Sequence, residues 1–174
     1  MPSPRGDRGA APLEPRFRSV LLICAANTAR SVMAEHLLIR ELCARGINGR
    51  VQVRSAGIAP YARDGALVSL DTRMALRDVG IFLGDEATST DLKRHPELLR
   101  EADVVIAMTA QQARDLRDRF TVPEQLEVYT LRTFVRETGD IEDPFEQGER
   151  VFAECREEIM RLVPYAVDRI LGIE

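Results

Sequence analysis

Apolar positions along the chain alternate between two periods. Val20-Leu21-Leu22-Ile23 is an unbroken aliphatic run, the form of a strand buried on both faces. A polar loop, Asn27 to Ser31, follows. Then Ala34, Leu37, Leu38 and Leu42 recur at helical spacing until Gly46. Arg50-Val51-Gln52-Val53-Arg54 predicts a second strand, ending in Ser55-Ala56-Gly57. Leu70, Met74, Ala75 and Leu76 predict a helix stopped at Gly80, and Thr88 to Asp91 offers caps for a short helix near Leu92. Asp103 to Met108 reads as the third strand, with a helix opening at Thr109 or Ala110 and running through Ala113 and Leu116. Leu126 to Tyr129 is the fourth strand, and Thr133 to Phe145 a polar loop. A last helix starts near Gly148, with Val151, Phe152, Cys155, Ile159, Leu162 and Val163 on one face. Pro164 is expected to kink or divide it.

Strands alternating with helices predict an α/β fold of three layers: a four-stranded parallel sheet with helices on both faces. In such sheets ligands bind at the carboxyl ends of the strands, and the loop after the first strand begins at Cys24. Pro2, Pro4, Pro12 and Pro15 mark residues 1–17 as a flexible extension, leaving residues 18–174 as one domain.

The net charge of −4 gives no global basic field, which argues against nucleic acid as a partner and requires a locally positive site for any anionic substrate. No apolar run approaches the ~20 residues that span a bilayer, so no membrane role is expected. The first residues lack the apolar core of a secretory signal. Three cysteines, Cys24, Cys43 and Cys155, are too sparse for a disulfide framework and suit a reducing cytoplasm. Cys43 and Cys155 fall on apolar helix faces, as core residues do.

The chemistry concentrates in Cys24-Ala25-Ala26-Asn27-Thr28-Ala29-Arg30-Ser31, a cysteine, five residues, then Arg-Ser, between a buried strand and an amphipathic helix. N–H groups at a helix N-terminus lack intrahelical partners, and the macrodipole adds positive potential there. Small residues at Ala25, Ala26 and Ala29 let the backbone wrap a tetrahedral oxyanion, and Arg30 adds a permanently charged fork. A free cysteine titrates near ~8.5, and helix N-termini and nearby cations can lower that to about 3.5–7.5. Cys24 is therefore expected to be a thiolate able to attack phosphorus, with the Ser31 hydroxyl assisting its departure. Asn27, of a type that tolerates left-handed backbone, is expected to bond backbone or Ser55 and so hold the loop. A lone Cys-x5-Arg arises by chance; the strand–loop–helix context is what makes it informative.

VLLICAANTARSVMAE resembles the N-terminal signature of low-molecular-weight protein tyrosine phosphatases, V-C-x-G-N-x-C-R-S-P-x-A-E. VRSAGI, ADVVIAMT and DIEDPF resemble that family's later blocks, in the same order. The resemblance implies a metal-free, cofactor-free phosphatase working through a phosphocysteine intermediate on a phosphorylated protein or small phosphate ester, with inorganic phosphate as product. It also implies an acid. His36 and His95, the only histidines, read as surface residues. Asp143-Pro144 by itself is ordinary turn chemistry, but the family's acid is the Asp of this pair, with Phe145 beside it to exclude water. Asp140 and Glu142 are weaker candidates.

Departures from the signature are informative. Ala26 stands for the usual Gly, Val32 for the Pro, and Ala29 for a second cysteine that can protect the nucleophile as a disulfide. Thr28 replaces the Ile or Leu of tyrosine-directed members and matches related protein-arginine phosphatases, so phosphotyrosine and phosphoarginine both stand as substrates. A thiol-dependent arsenate reductase shares the cradle, but residues 80–95 lack the further cysteines that the internal-disulfide type needs. A catalytically weak phosphate-binding module is the remaining alternative.

Overall fold

The structure, a computed structural model, describes residues 13–47 and 49–173. Four strands, β1 (Ser19–Cys24), β2 (Gln52–Gly57), β3 (Val104–Ala107) and β4 (Glu127–Thr130), form one parallel sheet in the order β2-β1-β3-β4. The helices are α1 (Arg30–Ala44), α2 (Leu70–Arg77), α3 (Glu97–Glu101), α4 (Ala110–Arg119), α5 (Leu131–Phe134) and α6 (Glu149–Leu171), with a 3₁₀ turn at Leu92–Arg94. The strand order reverses at β1, which lies between β2 and β3. Its carboxyl end is therefore the topological switch point, where an open α/β sheet leaves a crevice.

The alternation of β1 builds two cores. Val20, Leu22 and Cys24 face a layer with Met33, Leu37, Leu38, Phe152, Ile159 and Leu162 from α1 and α6. Leu21 and Ile23 face Leu92, Leu98, Leu99 and Leu116 on the other side. A strand covered on both faces cannot alternate with polar residues, which is why its sequence is continuously aliphatic. Among the described residues no helix is long and apolar enough to cross a membrane.

Several details depart from the pattern-based reading. Pro164 does not divide α6, which is continuous, and Arg45 Nη2 donates to the Pro164 carbonyl at 3.1 Å. Phe17, expected in the flexible extension, is buried against Phe134 and its N–H bonds Ile170 O. Residues 1–12 of that extension lie outside the described residues. α5 occupies the start of the expected polar loop, opened by a Thr130–Thr133 capping box. Cys43 is exposed, not core, while Cys155 is buried. His36 is half-buried rather than on the surface, whereas the His95 side chain is partly exposed, as expected, beside Asp64 and Glu97.

Candidate active site

The loop from Cys24 to Ala29 turns its carbonyls outward. Cys24 O and Ala25 O accept from Ile58 N and Ala59 N, both at 3.0 Å; Thr28 O accepts from Ser69 N at 3.2 Å and from Thr72 Oγ1 at 3.0 Å; Ala29 O accepts from Met33 N at 2.9 Å. The N–H groups of Ala25 through Ala29 find no protein acceptor among the described residues. No side chain caps α1, and no acid sits in its first turn. Open amides and the positive end of a fifteen-residue helix thus converge above the Cys24 sulfur. Ala26 has no left-handed backbone, so its methyl brings no torsional strain; Asn27, at φ 61°, is the loop's left-handed residue.

Hydrogen-bond directions in the loop follow from one fixed donor. Thr90 N–H donates to Asn27 Oδ1 at 2.8 Å, which sets the amide orientation. Asn27 Nδ2 therefore donates to Ser31 Oγ and to Ser55 Oγ, both at 2.8 Å. With its oxygen already accepting, the Ser31 hydroxyl has its proton free for Cys24 Sγ, 2.9 Å away. The Ser55 hydroxyl in turn donates to Glu35 Oε2. Burial pushes the Glu35 carboxyl above its ordinary value, and the Ser55 bond offsets part of that rise.

The segment after α5 brings a carboxylate to the loop. Ile141 N donates to Met108 O at 2.9 Å, and Asp140 Oδ1 accepts from Ala110 N at 2.8 Å at the start of α4. Asp140 is thereby a helix-terminal anchor, and Glu142 is exposed. Asp143 is the carboxylate that reaches the cleft. Its Oδ1 accepts from Phe145 N at 3.1 Å and its Oδ2 lies 3.4 Å from Arg30 Nη2. Arg30 is 5% exposed, with Nη1 donating to Ile141 O at 2.9 Å. Turn chemistry at Asp-Pro and presentation of the carboxylate are thus the same feature: the turn holds one oxygen and frees the other.

A cleft of about 220 Å³ lies over the loop, lined by Cys24, Ala25, Ala26, Thr28, Ala29, Arg30, Tyr61, Ser69, Asp143, Phe145 and Phe152. Phe145 and Tyr61 are largely exposed and form its mouth. Of the residues expected at the site, Cys24, Ala25, Ala26, Thr28, Ala29, Arg30, Asp143 and Phe145 come together here. Asn27, Ser31 and Ser55 sit immediately behind the loop rather than on the cleft. No group of three or more potential metal ligands occurs among the described residues.

Pattern reasoning missed Tyr61, Ser69 and Phe152 on the cleft and Thr90 and Glu35 behind it. Glu35 is the final residue of the quoted signature, so a signal existed without an assigned role. Gly57 was also missed. A Cβ there would stand 2.7 Å from Ala25 O and 2.8 Å from Ala26 C, so only glycine lets β2 approach the loop.

A family model described as low molecular weight phosphotyrosine protein phosphatase matches residues 19–170. A protein-arginine-phosphatase of Geobacillus stearothermophilus is 33% identical over 153 residues, covering 87% of this chain and 95% of the relative. The low molecular weight protein-tyrosine-phosphatase YfkJ of Bacillus subtilis is 28% identical, covering 88% and 94%. Among solved structures, a YwlE arginine phosphatase mutant with a phosphorylated active-site serine superposes with a TM-score of 0.77 at 29% identity, covering 87% and 94%.

Proposed function

The chain belongs to the low molecular weight phosphotyrosine protein phosphatase family, and from that premise we propose that it is a metal-independent protein phosphatase acting on phosphoarginine through a phosphocysteine. The observation that carries this reading is the loop whose carbonyls are tied off and whose N–H groups stay open, with Cys24, Arg30 and Asp143 lining the one cleft above it.

The phosphoryl dianion sits on the loop amides and the Arg30 fork, which neutralise the charge spread over its oxygens. Cys24 sulfur attacks phosphorus, and the bond to the leaving atom breaks with its electron pair staying on that atom. Asp143 supplies the proton, help typically worth ~10²–10⁴ in rate. Water then attacks the phosphocysteine as the Asp143 carboxylate takes its proton. The sulfur departs with the bonding pair, met by the Ser31 hydroxyl, and inorganic phosphate leaves.

Two features favour arginine over tyrosine. Thr28 lines the cleft, where a guanidinium has N–H groups to give a hydroxyl oxygen and an aryl ring has none. Relatives at 33% and 32% identity are named protein-arginine phosphatases. The partner is accordingly a phosphorylated protein. Three free thiols suit a reducing cytoplasm.

Side-by-side turnover of phosphoarginine and phosphotyrosine peptides tests the reading. Cys24→Ser abolishes turnover of both, and Thr28→Ile moves preference toward phosphotyrosine. Full activity in Cys24→Ser ends the covalent mechanism, and an unmoved preference in Thr28→Ile removes that residue as selector.

A further inference from the structure

Large apolar side chains collect on one flank of the cleft. Leu67 and Leu70 are each 71% exposed and Phe82 is 73% exposed, with Met74 also exposed. Leu70 and Met74 share one face of α2, separated by one turn, or ~6 Å. Phe82 is exposed past the end of the helix, where the Arg77 guanidinium, one turn beyond Met74, lies 6.0 Å from its ring centroid.

The stripe borders a groove lined by Leu67, Val68, Ser69, Leu70, Arg73 and Asp85. Its floor is rigid. Arg73 donates to the carbonyls of Val68, Leu83, Gly84 and Ala87 at 3.2–3.4 Å, tying α2 to the following loop through one guanidinium. Ser69, the N-cap of α2, lines both this groove and the catalytic cleft, so the two are one continuous surface. Exposed apolar side chains gathered beside a functional cleft are a feature of interaction surfaces.

We propose that this stripe is a docking ridge for the phosphoprotein substrate itself, taking apolar side chains that flank the phosphorylated residue. The inference rests on the phosphatase reading above. The occupant follows from continuity: a chain that places its phosphoryl group in the cleft and runs past Ser69 lies along α2. The eight residues of α2 span ~12 Å at 1.5 Å per residue, which is about four residues of extended chain at ~3.3 Å each, so the ridge reaches side chains within about four positions of the phosphorylated one. The ridge therefore selects which phosphorylated sites are turned over, while the loop selects the phosphoryl group.

The test uses the full chain and the double variant Leu70→Glu/Met74→Glu, whose two positions are exposed. Substrates are para-nitrophenyl phosphate and peptide pairs, phosphoarginine and phosphotyrosine, that differ only in Leu or Ser at the flanking positions. Wild type is expected to favour the Leu-flanked peptide at least ~5-fold in kcat/KM, through KM. The double variant loses that preference and keeps its para-nitrophenyl phosphate turnover. Equal wild-type turnover of Leu- and Ser-flanked peptides overturns the ridge. So does a preference that survives in the double variant, or a wild-type dimer in sedimentation that the substitutions dissolve without changing peptide preference. Failure of wild type on para-nitrophenyl phosphate and every peptide sinks the phosphatase reading instead.

Discussion

Arg30 Nη2 and Asp143 Oδ2 face each other at 3.4 Å across the cleft floor, the cation almost fully buried and the carboxylate half exposed. A dianion taking the guanidinium competes with this contact, and the freed carboxylate is then positioned for the leaving atom. Asp143→Ala is expected to lower kcat by ~10²-fold or more. It should also tighten inorganic phosphate, measured as a competitive inhibition constant, by up to about fivefold. That is the range of a partly exposed ion pair. An unchanged kcat would take the acid role from Asp143. Weaker phosphate binding would show that the pair does not compete with ligand.

Gly57→Ala is expected to be far more damaging than its size suggests. The added methyl would meet the Ala25 carbonyl oxygen and the Ala26 carbonyl carbon inside 3.0 Å, and neither is a flexible side-chain end. The loop must move to make room. Overpacking of this kind costs typically ~1–3 kcal/mol, and the displaced amides no longer match the oxyanion. Loss of kcat/KM well beyond the loss of thermal stability is the expected result. Wild-type kinetics in this variant would mean that the loop tolerates displacement.

The parts of this site that the chain itself disclosed are those set by short range. Cys24 to Ser31 is one contiguous loop between a buried strand and a helix, and local period and spacing suffice to place it. Ser55 came through its block of resemblance. What stayed hidden depends on distant segments. Thr90 orients Asn27 across 63 positions, and Ile141 meets Arg30 across 111. No periodicity encodes such pairs. Phe17 looked like part of a proline-rich tail because burial by Phe134 is a tertiary fact. Pro164 was expected to kink or divide α6, yet the helix is undivided, and Arg45 takes up the Pro164 carbonyl. Cys43 sat in an apolar pattern, but the face it occupies is not covered.

Glu35 makes the stability of the loop support depend on pH. Burial raises its carboxyl in the folded state above the ordinary 4.5. Between the unfolded and folded values the native state holds more protons, so stability falls as pH rises. The contribution is fully present below about the unfolded value and is lost as pH passes the folded one. Glu35→Gln keeps an acceptor for Ser55 and removes the titration. The variant is expected to melt higher than wild type at pH 8, with the gap closing toward pH 4. Parallel melting curves across that range would show that Glu35 does not titrate with folding.

Replacement of the usual second loop cysteine by Ala29 predicts how the protein fails under peroxide. Oxidation of Cys24 to the sulfenic acid is reversible only if a thiol condenses with it before the next oxidation. Cys43 is exposed on α1, away from the buried Cys24. Cys155 is buried, which pushes its thiol up to about 11; at pH 7 only about one molecule in ten thousand carries the attacking thiolate. Neither offers the rapid internal disulfide that a cysteine at position 29 would. Peroxide-treated wild type is therefore expected to regain little activity with dithiothreitol, and the Cys24 peptide should carry two added oxygens by mass spectrometry. Ala29→Cys, whose side chain would line the same cleft as the nucleophile, should recover most of its activity and show a disulfide joining position 29 to Cys24. Complete recovery of wild type would mean that a thiol of this chain does reach Cys24, and a crosslink between Cys24 and Cys155 would be the species to look for.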